Sequence, residues 1–241
     1  SPNSGIILPV VNHGVGLFNY TGHGDVNLCV TGNFQSTHVN QASNNGKYPF
    51  VVSVACNNGT FTSGTCISET WTRATKDGTP SGAIGAAGSS ILMAWAEPMQ
   101  TQDEMAAIIG ETYPENHKTT LGGLFYNSQM SMLEEYPSGS GIEVMQTWVL
   151  FGDPSAQFRN KQTLPISVVH TGNVPLGTTS IAATCDVEGA LVAVSQNNVL
   201  LGTAISSGGQ AVITFPALTI DDYLLVTATK QNYATYQHAV Q

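Results

Sequence analysis

Two rhythms of apolar and polar positions divide the chain. In the first, short continuous apolar runs alternate with longer stretches whose apolar residues recur every three or four positions. Gly16–Tyr20 is a short apolar run, and it leads into Gly22-His23-Gly24. Pro49–Ala55 (PFVVSVA) is continuous, β-branched and short, which predicts a strand buried on both faces. It stops at Cys56, followed by the turn formers Asn57, Asn58 and Gly59. Cys66–Lys76 carries Ile67, Trp71 and Ala74 at helical spacing and is closed by Asp77-Gly78. Ser81–Gly88 predicts a buried strand of small residues. Gln102–Tyr113 and Thr120–Tyr136 predict helices, with Met105, Ile108, Ile109, Leu124, Met130 and Leu133 facing inward. Val144–Phe151 is a last apolar segment before Gly152-Asp153-Pro154. Strand, turn, helix, strand is the order of a mostly parallel α/β sheet flanked by helices.

After Pro154 the helical spacing stops. Val168-Val169, Ser180–Val187, Leu191–Ser195, Leu200–Ala204, Ala211–Phe215, Tyr223–Thr229 and Ala234–Val240 are short runs, several of them alternating. Turn signals at Glu188-Gly189, Asn197-Asn198, Gly208-Gly209 and Asp221-Asp222 separate them. This pattern predicts an all-β sandwich. The expected organisation is therefore an α/β domain over residues 1–160 and a sandwich over 163–241.

Composition narrows the functional classes. Of 241 residues, 41% are hydrophobic, enough for a core in each domain, and only 10% are charged, a balance that suits a secreted protein. Lys and Arg number 7 against 16 Asp and Glu, with no basic cluster, so nucleic acid is not an expected partner. No apolar run is long enough to span a membrane. The chain starts at Ser1 without a signal peptide and is expected to be a processed or cut product. The four cysteines, Cys29, Cys56, Cys66 and Cys185, fit no zinc-site spacing, and three of them, Cys29, Cys66 and Cys185, read as buried thiols.

Reactive groups gather at the carboxyl ends of strands in an open α/β sheet. His23 follows one predicted strand and Cys56 another. If the two strands are neighbours, an imidazole meets a thiol, the pairing that activates a cysteine nucleophile. Backbone N–H groups of Gly24 and Cys56 would then stabilise an oxyanion. His38, between the two elements, is a candidate for the rim of such a site. Asp153 reads as the anchor of a turn. Asn19-Tyr20-Thr21 and Asn58-Gly59-Thr60 match glycosylation sequons, but both flank the site. A metal site of His23, Cys29, Cys56 and Cys66 has no support in the spacing.

YTGHG, with VACNNG placing its cysteine 33 residues after the histidine, resembles the His-then-Cys pair of the gingipain-type cysteine peptidases, secreted bacterial enzymes with a caspase-like fold. The resemblance continues through KDG (Lys76–Gly78), AWAEPMQTQDEM (Ala94–Met105), LGGLFYN (Leu121–Asn127) and TWVLFGDPS (Thr147–Ser155). It reaches ATCDVEGALVAVS (Ala183–Ser195), where the family carries an immunoglobulin-like domain. It implies a caspase-like cysteine peptidase domain followed by an immunoglobulin-like sandwich, in a protein that is secreted or on the bacterial surface. His23 becomes the general base and acid, Cys56 the nucleophile, and Gly24 and Cys56 the oxyanion donors. Trp95 and Met99 match positions lining the pocket for the substrate's P1 side chain, and Glu97 falls close to where lysine-cleaving members place an acid. The arginine-specific members are the closer match, although Ser89–Trp95 (SSILMAW) is more apolar than theirs. Catalysis would need no cofactor; structural calcium is allowed, with Asp25, Asp103 and Glu104 as the acids. The partners implied are protein or peptide substrates. The family's catalytic domain extends further upstream, so the remainder is expected as a separate chain, as a removed segment, or as sequence beyond this stretch. A non-catalytic surface or adhesion module that keeps the fold is the competing expectation.

Overall fold

The structure, a computed structural model, describes residues 3–62 and 64–241. They form two units, which divide between Asn160 and Lys161. The first begins with helix α1 (Ser4–His13), strand β1 (Leu17–Thr21), and three short strands that pair among themselves, β2 (Gly24–Asp25), β3 (Leu28–Cys29) and β4 (Phe34–Gln35). A single-turn helix α2 (Ser36–Val39), strand β5 (Phe50–Val54) and helix α3 (Ile67–Arg73) follow. Then come hairpin strands β6 (Thr75–Lys76) and β7 (Thr79–Pro80), strand β8 (Gly85–Ser89), helices α4 (Ala96–Ile109), α5 (Leu121–Glu135) and α6 (Ser140–Thr147), and strand β9 (Trp148–Gly152).

The central sheet has the order β1-β5-β8-β9. β1, β5 and β8 are parallel, and β9 runs against β8. Successive side chains of β5 serve opposite faces, so both must be apolar. Val51 and Ala86 join one core with Phe34, Ile67 and Trp71. Phe50, Val52, Val54 and Ala87 join another with Met105, Leu121, Leu124, Phe125 and Trp148. β8, Gly-Ala-Ala-Gly-Ser, is small because its neighbours press on it. A methyl on Gly85 would meet Leu121 at 2.6 Å, and one on Gly88 would meet Ser68 Oγ at 2.3 Å.

Three elements differ from the pattern reading, each for a local reason. Ser4–His13 carries no clear helical signal because Pro9 interrupts it, yet packing of Val11, Ile7 and Leu8 on the first core holds it as α1. The helix expected through Lys76 stops at Arg73. Asp77 and Gly78 both take positive φ, 51° and 75°, the turn that joins β6 to β7 as a hairpin. The helix expected from Gln102 starts at Ala96, since Pro98 lies in the first turn, where its missing N–H has no partner to lose.

The second unit contains β10 (Val168–His170), β11 (Ser180–Cys185), β12 (Leu191–Gln196), β13 (Val199–Ile205), β14 (Gln210–Thr214), β15 (Leu224–Thr229) and β16 (Tyr236–Val240). They make two antiparallel sheets, β10-β11-β14 and β13-β12-β15-β16. Burial alternates along β11 and β15, and Ile181, Val192, Val194, Ile213, Leu224 and Val226 fill the space between the sheets.

Trp71 is 2% exposed and stacks on Phe34 with ring centroids 5.7 Å apart. Trp71→Ala is expected to destabilise the α/β unit by about 3–5 kcal/mol. Denaturant unfolding followed by the unit's amide protection would show the loss, with the sandwich unchanged.

Candidate active site

Three loops leave the carboxyl ends of three adjacent parallel strands. β1 pairs with β5 so that Tyr20 lies beside Ser53 and Thr21 beside Val54. His23 is two residues beyond Thr21, and Cys56 two beyond Val54. The ladder continues one step further, since Gly22 N–H donates to the Val54 carbonyl at 3.1 Å. His23 and Cys56 therefore leave the sheet at the same level, on neighbouring strands.

The backbone of His23 is held from below. The buried Tyr20 hydroxyl donates to the His23 carbonyl at 2.7 Å and accepts from Thr31 N–H at 3.0 Å. Val30 N–H also donates to the His23 carbonyl, at 2.9 Å. That bond joins His23 to Val30 at the mouth of the β2–β3 hairpin. By the alternation of an antiparallel ladder, Gly24, opposite Cys29, points its N–H away from β3. The His23 ring is exposed and meets Trp95 edge-on, centroids 5.4 Å apart.

Cys56 is half-buried, and its Sγ accepts from Met93 N–H at 3.4 Å. Asn57 takes a left-handed φ of 60°, which bends the chain just after the thiol. Asn57 N–H then donates to Ile91 O at 3.0 Å, Gly59 N–H to Ser89 O at 2.8 Å, and Thr60 Oγ1 to Ser90 O at 2.9 Å. The turn lies flat on the end of β8, and a methyl on Gly59 would strike Gly88 O at 2.1 Å. Gly24 sits equally close on the other side. A methyl there would come within 2.7 Å of Ala55 Cβ and 2.8 Å of Cys56 O. Only glycine lets the two loops approach this far.

The third loop brings in Trp95, Glu97 and Met99. Trp95 precedes α4 and Met99 lies one turn on; both are exposed apolar side chains. Glu97, in the first turn, accepts a hydrogen bond from the Ser140 hydroxyl, which links α4 to α6. α4 is tied to β1 by Gln102, which is buried. Its Nε2 donates to Asn19 Oδ1 at 2.6 Å and Tyr20 O at 3.0 Å, and its Oε1 accepts from Thr21 Oγ1 at 2.7 Å. The segment Met93–Trp95 thus touches both Cys56 and His23. An imidazole and a thiol that leave neighbouring strand ends at one level are the pairing that acyl transfer to a cysteine uses.

Other candidates lie elsewhere. His38 caps α2: its Nδ1 accepts from Gln35 N–H at 3.0 Å and its ring stacks on Phe34. Asp153 anchors its turn, accepting from both the N–H and the hydroxyl of Ser155, and these bonds hold its carboxyl below the usual range. Asn58 is fully buried, so its sequon is closed to a glycan. The structure brings together no cluster of three His, Cys, Asp or Glu suited to a metal among the described residues. Asp25 accepts from Val26 N–H, and Glu104 from the Tyr113 hydroxyl. Sequence reasoning missed Tyr20, Gln102 and Asn58 as supports of the site. The adjacency of Tyr20 to the Gly-His-Gly turn was the available signal for the first.

Sequence comparison finds the profile of peptidase family C25 over residues 3–159 and that of the family's C-terminal immunoglobulin-like domain over residues 169–241. Gingipain R1 of Porphyromonas gingivalis is 37% identical over 230 residues, 95% of this chain and 23% of the relative. Among solved structures, the Arg-specific cysteine proteinase gingipain R superposes with a TM-score of 0.87 at 35% identity. That match covers 100% of this chain and 56% of the other. A complex of the pro- and mature domains of Porphyromonas gingivalis RgpB matches with a TM-score of 0.85 at 34% identity, covering 100% of this chain and 57% of that one. The chain thus spans about a quarter of the length of gingipain R1 and just over half of the solved relatives.

The four cysteines are free, and Cys29, Cys66 and Cys185 are buried. Burial pushes the Cys29 thiol up to about 12 and raises that of Cys66. Iodoacetamide at neutral pH is therefore expected to alkylate Cys56 alone in the folded protein and the other three only in denaturant, as peptide mass mapping would show.

Proposed function

The chain belongs to peptidase family C25, and we propose that its α/β unit carries the Cys56–His23 dyad of a cysteine endopeptidase, secreted or held at the cell surface, that cuts after basic residues, arginine over lysine. Membership brings the caspase-like α/β fold and the immunoglobulin-like sandwich with it. The observation that supports the catalytic reading best is the parallel register that brings His23 and Cys56 to one level at the ends of adjacent strands.

In this reading His23 takes the proton of the Cys56 thiol, and the thiolate attacks the carbonyl carbon of the scissile bond. The N–H groups of Gly24 and Cys56 receive the oxyanion. The C–N bond breaks as His23 returns its proton to the leaving amine, which leaves a thioester on Cys56. Water, deprotonated by His23, attacks that thioester and releases the acid and the free thiol. The cycle closes on protein groups and water, without a cofactor. Trp95 and Met99 flank the P1 side chain, and Glu97 supplies the carboxylate for a cationic group. No helix among the described residues is long and apolar enough to cross a membrane.

The remainder of the catalytic domain is proposed to dock at the open edge of β1. The apolar cleft there, about 340 Å³, is lined by Ile6, Val10, Val15, Leu17 and Phe18, with Ile6 and Val10 exposed. An uncovered strand edge beside an apolar face is the kind of surface on which a further strand pairs.

Peptide hydrolysis by the protein with its upstream part present is expected to favour Arg over Lys at P1, and both over neutral residues. His23→Ala should lower kcat by about 10²-fold or more. Glu97→Gln should narrow the gap between basic and neutral P1. Hydrolysis that persists in Cys56→Ala would sink the reading.

A further inference from the structure

We propose that Asn58 is a positioning residue, whose carboxamide fixes the Cys56 turn against the His23 loop and so sets the spacing of the Gly24 and Cys56 oxyanion donors. The inference rests on the peptidase reading above. Asn58 has no exposed surface. Its Oδ1 accepts from Ser53 Oγ at 2.7 Å and from Cys29 Sγ at 3.5 Å. Its Nδ2 donates to Asp25 O at 2.6 Å and Leu28 O at 3.1 Å. Two donors and two acceptances account for the main hydrogen-bonding capacity of a carboxamide.

The partners divide by loop. Asn58 itself belongs to the turn that Cys56 opens, and Ser53 is on β5, three residues before Cys56. Asp25, Leu28 and Cys29 belong to the hairpin that follows His23. One side chain therefore joins the two loops, in a place closed to water. Gly24 rests directly on it, since a methyl there would be 2.9 Å from Nδ2. Asn58 touches no reacting atom, so it acts through the backbone it holds. A buried carboxamide with all its partners in place is also directional, which a hydrophobic contact is not. Small displacements matter in such a site, because oxyanion donors work only at hydrogen-bond distance from the developing charge.

Asn58→Asp keeps the shape and removes both donated bonds, turning an oxygen toward the carbonyls of Asp25 and Leu28. It is expected to lower kcat by about 10–100-fold with KM within about threefold of wild type. Inhibition by a peptide aldehyde, whose hemithioacetal also needs the oxyanion donors, should weaken by the same factor. Alkylation of Cys56 by iodoacetamide needs no oxyanion and should keep its rate within about twofold. Cys29→Ala with Ser53→Ala retains Asn58 and frees its Oδ1; it should show the same split with a loss of about 3–10-fold, and it tests the proposal if Asn58→Asp does not fold. A kcat equal to wild type, or KM and alkylation worsening in step with kcat, would overturn the proposal. A wild-type protein that alkylates but hydrolyses no peptide would instead strike the peptidase reading itself.

Discussion

Everything reactive in the α/β unit hangs on one backbone register, Thr21 beside Val54 in the parallel pair β1–β5. A slip of one residue would turn β5 over, send Phe50, Val52 and Val54 to the wrong core, and move Cys56 off the level of His23. Both cores therefore enforce the register, and the register positions the site. The Gly22 N–H bond to Val54 O carries the pairing past the strand end. Beyond it the loops diverge in structure but stay in contact, because Gly24 allows van der Waals approach and the Asn58 carboxamide holds the approach in place.

The third component is attached by polar contacts. α4 brings Trp95, Glu97 and Met99, and its tether is Gln102, buried against the backbone and side chains of β1. A buried amide that is paired on both ends resists sliding in a way an apolar contact does not. The same strand thus positions the imidazole through its end and α4 through Gln102. The small residues of β8 complete the arrangement, letting the Cys56 turn lie against Gly88 and bringing Met93 N–H to the sulfur.

Much of this was readable in the order of residues. PFVVSVA declares a strand buried on both faces, the alternation after Thr163 declares a sandwich, and a histidine and a cysteine just past successive strand ends place an imidazole and a thiol at one sheet edge. What escaped the reading depends on contacts between distant segments. Pro9 hides α1, whose helix is held by packing. Asn58 reads as a turn former because turn chemistry and a buried bridging carboxamide look alike in sequence. Gln102 reads as an ordinary polar residue within a helix, and the Met93 contribution is a backbone N–H with no side-chain signature. Tyr20 looks like the end of an apolar strand, while its hydroxyl is what fixes the His23 carbonyl.

The central claim is that the two loops make one reactive unit in which His23 serves Cys56. The most direct test is the rate and site of labelling by a peptidyl chloromethyl ketone with Arg at P1, on the protein beside its His23→Ala variant. The account predicts one adduct per chain, on Cys56, formed at least about tenfold faster in wild type than in the variant. Adducts spread over other residues, or an unchanged rate without the imidazole, would contradict it.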